Sequence, residues 1–196
     1  MDEKAKEPKR NIKVLPVYIL QQFIGYAITG TVLYGGYYFY CDYIPIPRSN
    51  DFSEKLLYAA RYCTFPQAVF LLVAILRVIA KRALAGAVDP LAGREHLVQT
   101  EKNILTNTVE QLLVFLLLVV TLTTYLDPSE MRIIPLYSLD FIVGRVLFMV
   151  GYNIKPRYRA LGMVTNLSSC FLFIGYVIYL MYQRGFTYGF LVSGSS

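Results

Sequence analysis

Along the chain, apolar positions gather into five long runs separated by short polar segments. The runs are Val14 to Tyr40, Leu56 to Ile79, Asn103 to Leu126, Ile133 to Tyr152 and Leu161 to Tyr182. Each reaches the roughly 20 residues that an α-helix needs to cross about 30 Å of hydrocarbon. The pattern therefore predicts an all-α membrane protein with about five spans. The first run carries Gly25, Gly30, Gly35 and Gly36, which let helices approach closely. It ends in Tyr34, Tyr37, Tyr38, Tyr40 and Tyr43, an expected interfacial belt. Pro66 is expected to weaken or kink the first turns of the second span. The core of the third span, LLVFLLLVVTL, is the most hydrophobic part of the chain.

The segments between the runs are polar. Residues 1–13 form a basic tail, and CDYIPIPRSNDFSEK is a connector rich in breakers. A longer polar stretch runs from Lys81 to Lys102, DPSEMR and NIKPRYRA are tight connectors, and residues 183–196 form a short polar tail. Lysines and arginines outside the spans alternate high and low from segment to segment, twelve on one side against four on the other. That asymmetry places the N-terminus on the cytoplasmic side. The first run is too long for a signal-peptide core and lacks a small-x-small cleavage site, so it reads as a retained span.

Composition agrees with the pattern. Hydrophobic residues make up 56% of the 196 and charged residues 16%, below the roughly one quarter of a soluble domain. The net charge of +6 sits in clusters between apolar runs and makes no basic face for nucleic acid. Cys41, Cys63 and Cys170 are far apart and His96 is the single histidine, so no metal site is expected.

Two ionisable residues fall inside spans, Glu110 in the third and Arg145 in the fourth. Counted along antiparallel helices they lie at similar depth, which predicts a buried pair. Asn107 and Asn103 precede Glu110 at one-turn spacing, and Asp140 is a deeper candidate partner. Such groups serve either as glue between helices or as a ligand site. Tyr152, Lys155, Arg157 and Arg159 form a basic, aromatic mouth at the cytoplasmic end of the fourth and fifth spans. It suits an anionic amphiphile, and equally it marks the cytoplasmic side.

These residues carry a resemblance. LTNTVEQLLVFLLL is similar to the second-helix motif of the MAPEG family of membrane-associated proteins in eicosanoid and glutathione metabolism. FIVGRVLFMVGY resembles its third-helix signature, and YRALGM resembles the segment that follows. The resemblance covers roughly Leu56 to Tyr182. It implies a four-helix MAPEG-like bundle over 56–182, preceded by one additional transmembrane helix over 14–40, as in the mattrin-like branch of the family. It implies a homotrimer with glutathione sites between subunits. There Asn107, Glu110, Arg145 and Tyr152 match glutathione-binding positions, and Arg159 with Tyr152 matches the pair that acts on the thiol. The family's enzymes have arginine four residues before this asparagine, and here Asn103 stands in its place. The fork that grips a glutathione carboxylate bidentately is therefore absent.

With that arginine gone and a span added, the expectation leans to a non-catalytic protein of endomembranes (endoplasmic reticulum, Golgi or lysosome). It would act in trafficking or regulation of membrane-protein partners. The alternative is a glutathione-dependent transferase, peroxidase or isomerase acting on lipophilic electrophiles. A channel or transporter finds no inverted repeat to support it.

Overall fold

The computed structural model describes residues 15–86 and 93–188. The basic tail 1–13, residues 87–92 of the polar stretch and residues 189–196 of the terminal tail lie outside the described residues. All regular structure among the described residues is helical.

Five helices follow in order. The first, α1, begins as Leu15–Gly30, passes through a π turn over Thr31–Gly35, and continues as Gly36–Tyr40 and a 3-10 turn Cys41–Tyr43. The others are α2 (Phe52–Leu84), α3 (Glu95–Tyr125), α4 (Glu130–Ile154) and α5 (Pro156–Arg184). These four are long and apolar enough to cross a membrane. They overrun the apolar runs by up to a few turns, because helical hydrogen bonding continues past the residues that hydropathy selects. The chain is an integral membrane protein. Helix α1 is not among the four. Gln21, Gln22, four glycines and a run of tyrosines dilute its aliphatic residues, although no charge falls between Leu15 and Tyr40.

Local chemistry sets the boundaries. Pro66 lacks the N–H that would continue the ladder, and a π turn over Ala60–Thr64 precedes it. Lys155 is extended, as a residue before proline must be, and this single residue turns α4 into α5. Gly185 ends α5 at a φ of +80, a conformation glycine adopts freely.

Ion pairs and hydrogen bonds fix which ends lie together. At one end Arg82 and Lys102 hold Glu95, and Asn103 reaches Tyr152. At the other, Asp42 of α1 meets Arg132 of α4 at 3.6 Å, and Lys55 of α2 donates to the Leu126 carbonyl. There too Arg184 of α5 binds Asp127 and Glu130. Successive helices are thus antiparallel, and α1 runs parallel to α5.

The centre of the core is an aromatic cluster. The Phe115 ring lies 4.5 Å from both Tyr137 and Phe141, and Tyr137 stacks on Phe173 at 3.8 Å. It joins α3, α4 and α5. Helix α4 is buried along most of its length, whereas α2 and the outer face of α5 expose Leu72, Leu76, Phe171 and Ile178. Those exposed side chains are the surface that lipid solvates.

The α4–α5 contact is the tightest. A Cβ on Gly162 would overlap the Phe148 backbone and the Gly144 carbonyl, and one on Gly144 would overlap the Asn166 amide. Such small-residue seams let helix backbones meet in hydrocarbon, where packing supplies the attraction.

Candidate functional site

Arg145 lies at the centre of the buried polar groups. It projects from the middle of α4 towards α3 and is wholly buried. Its Nη1 donates to Asn107 Oδ1 of α3 at 2.9 Å. The amide of Asn166 on α5, turned to suit its neighbours, accepts from Arg145 Nε at 2.9 Å and donates to the Gly162 carbonyl at 3.3 Å. The guanidinium lies 4.9 Å from the Phe148 ring centre and 5.7 Å from that of Phe141. Only its Nη2 lacks a partner. One cation thereby ties three helices together, with aromatic faces standing where a counter-charge would be.

The expected pairing of Arg145 with Glu110 does not occur. Glu110 is exposed, and no ion pair joins the two among the described residues. The reason is rotational. The buried stripe of α3 is Ile104, Thr108, Leu112, Phe115 and Val119. At about 100° per residue, Asn107 falls on the edge of that stripe and Glu110 roughly opposite it. Matched depth ignored azimuth. Asp140 is not the partner either. It is fully buried, both carboxylate oxygens lack a hydrogen bond, and it faces the hydroxyls of Thr29 and Ser169 rather than Arg145.

The mouth is built at the end where α3 begins and α4 turns into α5. Tyr152 Oη accepts from Asn103 Nδ2 at 3.2 Å and from Arg159 Nη1 at 3.4 Å. The Arg159 guanidinium also lies 5.2 Å from the Tyr152 ring centre. Gln99 Nε2 donates to Asn103 Oδ1 at 2.8 Å, so Asn103 is held from both sides. Arg159, Lys155 and Arg157 are exposed, and Arg157 lies over Tyr158. The structure thus brings together Asn103, Tyr152 and Arg159 at the rim, and Asn107 with Arg145 beneath it. It leaves Glu110 outside both groups.

The polar run inside α5 lies outside the residues that the sequence pattern singled out. The run Thr165, Asn166, Ser168, Ser169 is buried in the middle of the last helix. Four polar residues in five, inside an apolar span, were the available signal. Helix α1 also contributes, since Thr29 Oγ1 donates to the Thr165 carbonyl at 3.1 Å and lies 2.9 Å from Ser168 Oγ.

The MAPEG family model matches residues 60–179. The chain belongs to the MAPEG family. Among curated proteins, Transmembrane protein 79 (mattrin) of Mus musculus and its Bos taurus counterpart are similar to it, each 26% identical over 136 residues. The match takes in 67% of this chain but only 33% and 32% of those proteins, so the chain spans about a third of their length. No solved structure matches it. The MAPEG match takes in Arg145, Asn107, Tyr152 and Arg159, and also the α5 polar run. It begins at residue 60, beyond the end of α1. Among the described residues no cluster of ligands suited to a metal ion is present.

Proposed function

We propose that this MAPEG protein is non-catalytic and works in endomembranes through membrane partners, in trafficking or in their regulation. The carrying observation is the state of Arg145. The guanidinium that would meet an anionic ligand is fully buried, and Asn107, Asn166 and Phe148 engage all of it but Nη2. Asn103 supplies no charge where the family's enzymes have an arginine, and its amide is engaged by Gln99 and Tyr152. The proposal includes five spans, α1 added to a bundle over 56–182, with a cytoplasmic N-terminus. The grouping of Arg82, Lys102, Lys155, Arg157 and Arg159 at one end supports that orientation. It includes a homotrimer, because Glu110 is a carboxylate on the outer face of a membrane helix and a neighbouring subunit would spare it contact with lipid.

A second reading, glutathione-dependent chemistry on a lipophilic electrophile, draws on the rim. There Arg159 and the Tyr152 hydroxyl converge at an open surface, a setting that would favour a thiolate. Calorimetric titration of glutathione into the purified protein separates the two. The first reading expects no heat up to about 10 mM ligand, an affinity of under about 3 kcal/mol. Micromolar to low-millimolar binding that disappears in a folded Glu110→Ala variant would overturn it, make Tyr152 and Arg159 the candidate catalytic residues, and justify a screen of electrophilic lipids.

A further inference from the structure

Helix α1 packs on the bundle through one face, which carries Gly25, Thr29 and Gly36. A Cβ on Gly25 would lie 2.8 Å from Val164 of α5, and one on Gly36 would lie 2.7 Å from Leu136 of α4. Between these points a Cβ on Gly30 or Gly35 would meet nothing within 4 Å. The π turn over Thr31–Gly35 sits in this interval. Such a turn inserts one extra residue and commonly marks a functional site.

Beside this contact face lies a cleft of about 550 Å³, within the range of about 300–1,000 Å³ typical of small-molecule sites. Helix α1 contributes Gly30, Leu33, Tyr34 and Tyr37 to its wall. Leu172, Phe173 and Tyr176 of α5 face them, and Ile133 and Glu130 of α4 close one end. From Gly30 to Tyr37 the cleft follows roughly 10 Å of helix rise. It runs from mid-span to the boundary where α4 starts.

We infer that this cleft binds one sterol-like lipid, a rigid neutral molecule with a single hydroxyl. Two features of the cleft and one of the ligand select that class. Its body is apolar and aromatic, which matches a hydrocarbon occupant drawn from the surrounding bilayer. Its polar end presents the Glu130 carboxylate, which shares the single Arg184 guanidinium with Asp127 and also accepts from the Asp127 N–H. A phosphate or carboxylate head would meet that carboxylate, whereas a hydroxyl can pair with it or with the phenols of Tyr37 and Tyr176, which make no hydrogen bond among the described residues. Finally, a rigid ring system loses less conformational freedom on binding than an acyl chain of equal volume. The site lies between α1 and the bundle, so it is separate from the Arg145 and Tyr152 groups and does not depend on the proposed function.

The test uses the full chain in phosphatidylcholine nanodiscs with a diazirine-bearing cholesterol analogue, and maps adducts by mass spectrometry. Adducts are expected on residues 30–37 and 172–176, displaced by unlabelled cholesterol but not by palmitic acid or diacylglycerol. Gly30→Phe fills the cleft without meeting a neighbour at Cβ. It should lower labelling about tenfold, equivalent to roughly 1.4 kcal/mol, with helix content and thermal midpoint retained. Leu172→Trp plugs the opposite wall and serves if Gly30→Phe fails to fold. Adducts scattered over the lipid-facing surface, labelling unchanged by either plug, or equal competition by palmitic acid or diacylglycerol would overturn the inference. So would an unlabelled cleft in a protein whose oligomeric mass falls when the plug is introduced, since a second copy would then be the occupant.

Discussion

Replacing Arg145 by alanine separates the geometry described here from a buried Arg145–Glu110 ion pair. The variant loses a hydrogen bond from a charged donor to Asn107 at 2.9 Å, worth about 1.5–3 kcal/mol. It also strips the wholly buried Asn166 of its partner, a penalty of about 1–3 kcal/mol. Loss of the guanidinium from the Phe148 face at 4.9 Å removes up to about 2 kcal/mol. These contributions overlap, and release of a desolvated cation offsets part of them, so the net loss is about 3 kcal/mol. Glu110→Ala, at a position exposed on the single chain and in no ion pair there among the described residues, should change the stability of the subunit fold by no more than about 0.5 kcal/mol, any larger effect falling on the subunit contact. In a double-mutant cycle, Arg145 and Glu110 should then couple by under about 0.5 kcal/mol, and Arg145 and Asn107 by about 1–2 kcal/mol. The assay is sodium dodecyl sulfate titration in mixed micelles followed by circular dichroism, at one protein concentration, since assembly shifts apparent stability. A coupling above about 1 kcal/mol between Arg145 and Glu110 would refute the reasoning, because it would require the contact that the azimuth of Glu110 denies.

Gly162→Ala should cost at least the upper part of the roughly 1–3 kcal/mol range for overpacking, because its Cβ would strike backbone at Phe148 and Gly144 that has no room to yield; the control Gly175→Ala meets nothing within 4 Å and should leave the thermal midpoint unchanged or slightly raised. Asp140→Asn keeps the shape of a buried side chain whose two oxygens have no hydrogen bond, so the midpoint should hold or rise, and a fall of about 5 °C or more would contradict this. Arg184→Ala removes the common partner of Asp127, Glu130 and the Tyr125 carbonyl and should cost about 1–2 kcal/mol in the same titration.

The helices were legible because hydropathy and breaker residues act locally. The apolar run from Asn103 predicted a span, and Pro66 and Pro156 marked the places where helical hydrogen bonding changes. What depended on the rotation of one helix against another was not legible. Glu110 and Arg145 share a depth but not a face. Four glycines in α1 all permitted close approach, yet Gly25 and Gly36 make contacts while Gly30 and Gly35 face open space. That difference depends on Val164 and Leu136 of other helices. Asn166 escaped notice for a related reason. Its role comes from facing Gly144 and Arg145 of α4, which no pattern within α5 reveals, although the polar run around it was visible.

Asp140 and Arg145 give α1 a structural meaning. They are five residues apart on one helix, about 140° apart in azimuth, so neither neutralises the other. Arg145 turns to α3 and is met by Asn107, whereas Asp140 turns to the side where α1 packs against α5. There Thr29 of α1 lies with Ser168 and Ser169, and Gly25 lets the backbone come close enough for Thr29 to reach the Thr165 carbonyl. Taking α1 away would open that side of Asp140 to hydrocarbon, where a carboxyl without partners is costly. The first helix therefore completes the enclosure of a polar centre that α4 and α5 leave open, and the bundle has adapted to a fifth helix rather than merely carrying one.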